Sequence, residues 1–383
     1  MHTTFVAAIV LLATSLPTAQ ATAKKRTSFL VYIGTYTGPV SKGIYVFRFD
    51  SATGRTSTPQ LAAETKNPSF LAVDPTGRFL YAVNEVSDYE GNQTGGVSAF
   101  AIERPSGKLK FLNQVPSQGA GPCHVSLDRT GKYVLVANYD GGSIAVFPVS
   151  QDGKLGAPTA SVKHSGHGPD PERQEAPHAH QIQVSTDNRF AIVADLGLDE
   201  LLSYRFDPEK GTLAPNDPPY AKVDPGSGPR HFAFTPDGKF LYVLEEMRSA
   251  ITGFSYDAKS GAMSPIQTVS SIPADFRGRK EAAEIAVHPS GKFLYASNRG
   301  HDSVAVFSIA ADGKLTNLEY TPTGGKTPRG FGIDPTGSYL ILGNQDSNEI
   351  VIFHIDPNTG RLTPNKRTLQ VASPVSVEFV AVQ

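Results

Sequence analysis

The sequence predicts an all-β fold: a seven-bladed β-propeller of four-stranded antiparallel blades, its ring closed by the C-terminal strand joining the N-terminal blade. Three observations predict it. A unit of four short β-branched or aromatic runs, separated by Asp-Pro, Asp-Gly or Gly-Lys turns, recurs along the whole chain. The aromatic of the third run returns at Phe47, Phe100, Phe147, Tyr204, Phe254, Phe307 and Phe353, at intervals of roughly 50 residues, as propeller blades require. The two ends of the chain also carry complementary halves of one unit.

The N-terminus comes first. Phe5 to Leu16 is an apolar run of 12 residues, too short for a bilayer span of ~20 residues. Small residues follow at Ala19-Gln20-Ala21 and Ala21-Thr22-Ala23, so residues 1–23 read as a signal peptide cleaved after Ala21 or Ala23. The mature chain is then expected to be periplasmic or secreted, with no membrane attachment after cleavage.

The propeller is expected over residues 28–383. FLVYIGTYT, at its start, matches the second run of a unit. PSFLAVDPTGRFLYAVNE, PCHVSLDRTGKYVLVANY, AHQIQVSTDNRFAIVADL, PRHFAFTPDGKFLYVLEE, EIAVHPSGKFLYASNR and PRGFGIDPTGSYLILGNQ supply first and second runs of the next six units. The seventh first run is PVSVEFV, Pro374 to Val380, and it completes the unit that the N-terminus opens. Six or seven residues after each aromatic stands a turn glycine: Gly54, Gly107, Gly153, Gly211, Gly261, Gly313 and Gly360. Helical periodicity is absent.

Composition removes several functions. With 35 basic and 36 acidic residues the net charge is −1, lacking the basic excess of a nucleic-acid or membrane-surface protein. Cys123 is the sole cysteine, which excludes an intrachain disulfide and any cysteine-based zinc site. Neither a Gly-rich strand–helix phosphate loop nor a GxSxG elbow is present, so dinucleotide chemistry and serine hydrolysis lack support.

Chemistry concentrates at one rim of the channel. The start of a first strand lies beside the end of the second in an antiparallel pair. First strands begin with Ser69-Phe70, Cys123-His124, His180-Gln181, Arg230-His231, Ala283-Glu284 and Arg329-Gly330. Second strands end with Asn84-Glu85, Asn138-Tyr139, Asp195-Leu196, Glu245-Glu246, Asn298-Arg299 and Asn344-Gln345. Variation of His, Arg and Glu along a single rim is the pattern of a small-molecule pocket. The asparagines share one register and read as caps of the strand ends.

The connection HSGHGPDPERQEAPHAH, His164 to His180, holds four of the ten histidines. Its HxxH and HxH spacings offer imidazoles to a metal, with Asp195 or Glu246 as the carboxylate. Pro and Gly break any helix there and no fixed ligand spacing is matched, so no metal is expected. A rim loop bearing a general base is the preferred reading.

ERQEAPHAHQ, DLGLDE, GPRH with LEE sixteen residues later, SNRG and PRGFGIDPTGSYL together resemble the lactonase family of seven-bladed propellers, named for bacterial 6-phosphogluconolactonases and including fungal carboxymuconate cyclases. The resemblance covers nearly all of the mature chain. It implies a catalytic set of His180, Arg230, Glu246 and Arg299, with His178 beside His180 as the alternative histidine. Substrate-binding positions are then His124, His178, His231, Glu284, Arg329 and Glu85. It implies a lactonase acting on a sugar or aldonic-acid lactone; the chain is expected to act as a monomer and without a cofactor. Arginines would hold the lactone carbonyl, and His180 or Glu246 would move the proton. The competing readings are a non-catalytic propeller that binds a protein or glycan, and a muconate-type lactonising cyclase.

Overall fold

The computed structural model describes residues 1–4 and 27–382. The apolar run of the expected signal peptide and both of its cleavage positions lie outside the described residues. Among the described residues no helix is long and apolar enough to cross a membrane.

Seven antiparallel sheets form the ring. Blade 1 is built from both ends of the chain: Pro374–Ala381 is its innermost strand and pairs with Ser28–Thr35, setting Leu30 opposite Val380 and Tyr32 opposite Glu378. Ser28–Thr35 pairs in turn with Gly43–Asp50. The outer edge of this blade is split into Arg55–Thr56 and Gln60–Glu64. Pro59 lies in the break, where a residue without an N–H cannot serve a ladder. Blades 2 to 7 each take four consecutive strands. Their inner strands are Leu71–Val73, Pro122–Leu127, Ala179–Val184, Pro229–Phe234, Ala282–Val287 and Pro328–Ile333. The inner strand of blade 1 packs against those of both blade 7 and blade 2, so the ring leaves no free inner edge.

The core lies between blades. Seven apolar clusters each join two neighbouring sheets, such as Leu135, Val146, Ile182 and Val193 between blades 3 and 4. The repeated turn glycines serve these interfaces. Gly153 has φ +84°, and a Cβ there would stand 2.3 Å from the Phe79 ring of the preceding blade. Its carbonyl accepts the Tyr81 hydroxyl at 3.1 Å, and Tyr242 and Tyr295 make the same bond to Gly313 and Gly360. A side chain at the glycine would block this joint.

At one end of the ring the inner strands are irregular. The pairing register shifts past Cys123 in blade 3, His180 in blade 4, Arg230 in blade 5, Ala283 and Glu284 in blade 6, Arg329 in blade 7 and Val375 in blade 1. In a regular strand neighbouring side chains face opposite sides. A bulge re-aims one of them, and so Arg230 and His231, adjacent in sequence, both face the channel.

Candidate active site

The bulged residues meet on the ring axis. Tyr36, Ser69, Glu85, Cys123, His180, Arg230, His231, Glu284 and Arg329, with Phe70 and Val375, line a small polar pocket. Its volume of about 10 Å³ is the space of one water. On the other side of Phe70 and Glu284 the channel widens into a cavity of about 720 Å³, lined by residues that include His124, Gln181, Gln183, Arg129 and Glu378. That cavity extends to the turn residues Pro75, Thr186 and Pro236 at the opposite face.

Three guanidiniums converge on Glu246 at the rim. Arg173 Nη2 lies 2.5 Å from Oε1, while Arg230 Nε at 3.1 Å and Arg299 Nη2 at 2.8 Å share Oε2. Glu246 and its partners Arg230 and Arg299 are all under 8% exposed. Burial pushes the Glu246 carboxyl up, but Arg299, Arg230 and Arg173 together outweigh it and hold the group at about 2. Arg299 also contacts Glu281 Oε1 at 3.4 Å and donates to the Ala282 carbonyl. The Arg230–Glu246 juxtaposition follows from one hairpin, in which Pro229 pairs with Glu245.

A second group surrounds Glu85. Tyr36 and Ser69 both donate to its carboxylate, and Arg329 Nη2 donates to the Tyr36 hydroxyl at 3.0 Å. Arg329 makes no ion pair within 4 Å among the described residues.

Between the two groups stand the imidazoles. His180 and His231 have ring centroids 5.1 Å apart, and His124 lies 5.6 Å from His231. Burial, and after it the neighbouring positive groups, hold all three well below the usual histidine range, so they are neutral near pH 7. His231 Nδ1 donates to Glu284 Oε1 at 2.9 Å. Burial raises Glu284 to about 7, with Arg230 and the Ile285 N–H only partly offsetting it.

The candidate residues therefore separate. His180, Arg230, His231, Glu284, Arg329 and Glu85 line the pocket, with Glu246 joining Arg230 to Arg299 at its edge. His124 faces the wide cavity and packs against the Phe70 ring, centroids 4.3 Å apart and planes tilted by 34°. His178 is set aside from the pocket: it stacks on the Tyr139 ring at 4.4 Å, and its Nε2 lies 3.3 Å from Glu175. Of the loop histidines, His164 pairs with Asp195 at 2.6 Å. The other oxygen of Asp195 accepts the His178 and Gly197 N–H groups, so this carboxylate staples both ends of the loop. Among the described residues no group of three or more His, Cys, Asp or Glu is arranged to hold a metal. The rim asparagines cap as expected, Asn84, Asn138 and Asn298 each donating to a carbonyl of the preceding connection. Glu245 stands in that register in blade 5 and accepts from Thr252 instead.

Several site residues escape the sequence reading. Tyr36 follows Thr35 in the register of Asn84-Glu85, a signal hidden because this blade is split between the chain ends. Register puts Ser69 and Cys123 on the rim, but their small side chains give no chemical cue in the sequence. Arg173 sits in a loop without repeat register, and only the folded path brings it to Glu246.

Comparisons with known proteins agree with this architecture. Residues 30–379 match the family model described as "Lactonase, 7-bladed beta-propeller". The 6-phosphogluconolactonase of Bacillus subtilis is 39% identical over 355 residues, covering 92% of this chain and 99% of that protein. That of Formosa agariphila is 32% identical over 355 residues, 91% of this chain and 99% of its own length. The solved periplasmic gluconolactonase of Pseudomonas aeruginosa superposes with a TM-score of 0.87 at 33% identity, covering 93% of this chain and 100% of that one.

Proposed function

Since the chain belongs to the seven-bladed β-propeller lactonase family, we propose that it hydrolyses a lactone, opening a sugar or aldonic-acid ring at the polar rim of the channel. The observation that carries the proposal is the pair Arg230 and Arg299, held around buried Glu246 beside a pocket the size of one water. Lactone opening passes through a tetrahedral oxyanion, and donors already fixed in a dry site stabilise it without reorganisation. Arg230 Nη2 has no protein partner among the described residues and is the donor offered to the lactone carbonyl. Arg329, whose guanidinium among the described residues hydrogen-bonds only the Tyr36 hydroxyl, supplies a second cation for a polar or anionic substituent. His180 is a neutral hydrogen-bonding group at the pocket wall. Glu246 stays ionised at any working pH, so its part is to orient the guanidiniums rather than to move a proton. The names of the Bacillus, Formosa and Pseudomonas relatives support the reaction class.

Export to the periplasm or medium belongs to the same proposal. The N-terminal apolar run and the periplasmic Pseudomonas relative support it.

The test is a pH-stat assay of the purified mature protein on a panel of sugar and aldonic lactones. Hydrolysis well above the buffer rate is expected for at least one of them, with Arg299→Ala removing most of it. A rate equal to buffer across the panel would reject the lactonase reading and leave a binding propeller in its place.

A further inference from the structure

The lactonase reading leaves one role unfilled, that of the group which takes the proton from water. Glu246 is caged by three cations, and a base works best when its pKa lies near the working pH. The small pocket and the wide cavity meet at Glu284, which with Phe70 lines both.

We infer that Glu284 is the general base of the lactone hydrolysis proposed above, and that its water arrives through the wide cavity from the face opposite the substrate rim. The inference rests on the lactone-hydrolase reading, and the geometry supports it in three ways. First, Glu284 Oε1 is fixed by two donors, His231 Nδ1 at 2.9 Å and the Ile285 N–H at 3.1 Å, whereas Oε2 has no protein donor among the described residues. One oxygen is anchored and the other is open to water. Second, the pocket beside it holds about one water and is shared with Arg230. Third, the cavity of about 720 Å³ beyond it supplies solvent while the lactone covers the rim.

The step balances. Glu284 takes one proton as the water oxygen bonds to the carbonyl carbon, giving a tetrahedral oxyanion. The ring C–O bond then breaks, and the proton on Glu284 passes to the departing alkoxide as it becomes a hydroxyl. The new carboxylic acid ionises and its proton goes to solvent, leaving Glu284 as it began.

The groups around Glu284 come from every neighbouring blade. His231 and Arg230 face it from blade 5 and Glu378 from blade 1. Arg329, His180, Cys123, His124, Tyr36 and Glu85 complete the surroundings. Its value of about 7 agrees with the role. Glu378, which lines the same cavity, is pushed up to about 8 by burial and then by the Glu284 charge. The rate should therefore rise with pH through a limb near 7.

The test compares wild type with Glu284→Gln, Glu284→Asp and Glu378→Gln on a lactone that the wild type hydrolyses. Glu284→Gln keeps an acceptor for His231 and Ile285. It should lower kcat by ~10²–10⁴-fold with little change in KM, and abolish the limb near pH 7. Glu284→Asp should fall between, and Glu378→Gln, which leaves Glu284 in place, should retain an ascending limb. Wild-type turnover in a folded Glu284→Gln, or a limb that persists in it, would overturn the assignment while leaving the lactonase reading intact. Should that variant fail to fold, a wild-type profile with no ascending limb near pH 7 overturns it alone. A wild type inactive on every lactone removes the reaction itself and the base with it.

Discussion

The two ends of the inner strands are made from the same seven repeats and behave in opposite ways. At the turn end the blades use one device repeatedly. Asp74, Asp128 and Asp334 each accept two or more backbone N–H groups of their own turn. At the rim end the bulges of blades 3 to 7 carry Cys123, His180, Arg230, Ala283 with Glu284, and Arg329, while that of blade 1 carries Val375. Where copies agree, the residue answers a local need shared by every blade. Where they diverge at one register, the need is collective, and the residues make sense only as a set.

That contrast can be broken experimentally. The largest effect is expected from removing the strand that joins the two ends. Truncation after Ser373 strips Ser28–Thr35 of its inner partner and exposes an edge in the ring. The protein should become insoluble; a soluble product with an unchanged melting transition would contradict closure by this strand.

At the rim, Glu246→Gln should damage both activity and stability, because three guanidiniums lose their common counter-charge. Breaking a buried pair costs about 3–5 kcal/mol, and turnover should fall by ~10²-fold or more. The folded-state pKa lies below the ordinary 4.5, so this carboxylate stabilises the fold above that pH, and the contribution is lost as pH falls towards about 2. Urea titrations should show the acid-dependent component in wild type and a smaller one in the variant. Equal turnover per folded molecule would reduce the cluster to architecture.

At the turn end, Asp128→Ala should do the reverse. It strips acceptors from the Tyr133 and Thr130 N–H groups and from Asn188 of blade 4, costing about 1–3 kcal/mol. Turnover per folded molecule should not change. A variant as stable as wild type but slower would erase the division between the two ends.

The smallest effect expected is none. Dialysis against a strong chelator should leave the lactonase rate unaltered, since His164 and Asp195 are occupied with each other. Loss of rate restored by one divalent ion would turn the 164–180 loop into a metal site.

By itself the sequence determined the seven blades, their four-stranded make-up, the closing role of Pro374 to Val380 and the rim on which the charged residues gather. These are legible because strand alternation, turn chemistry and the glycine joint act over a few residues and recur seven times. The grouping of the candidate site residues was less evenly legible. Arg230 and Glu246 meet because one hairpin pairs their strands, whereas His178 and His180, two residues apart, part company at the bulge. Arg173 reaches Glu246 only through the path of a loop stapled by Asp195. The split of the channel into a one-water pocket and a wide cavity, with Glu284 shared by both, arises from inner strands of different blades packed around one axis. Local patterning specifies each strand, but only ring closure sets the distances between them, and the electrostatics that separate Glu246 from Glu284 depend on those distances.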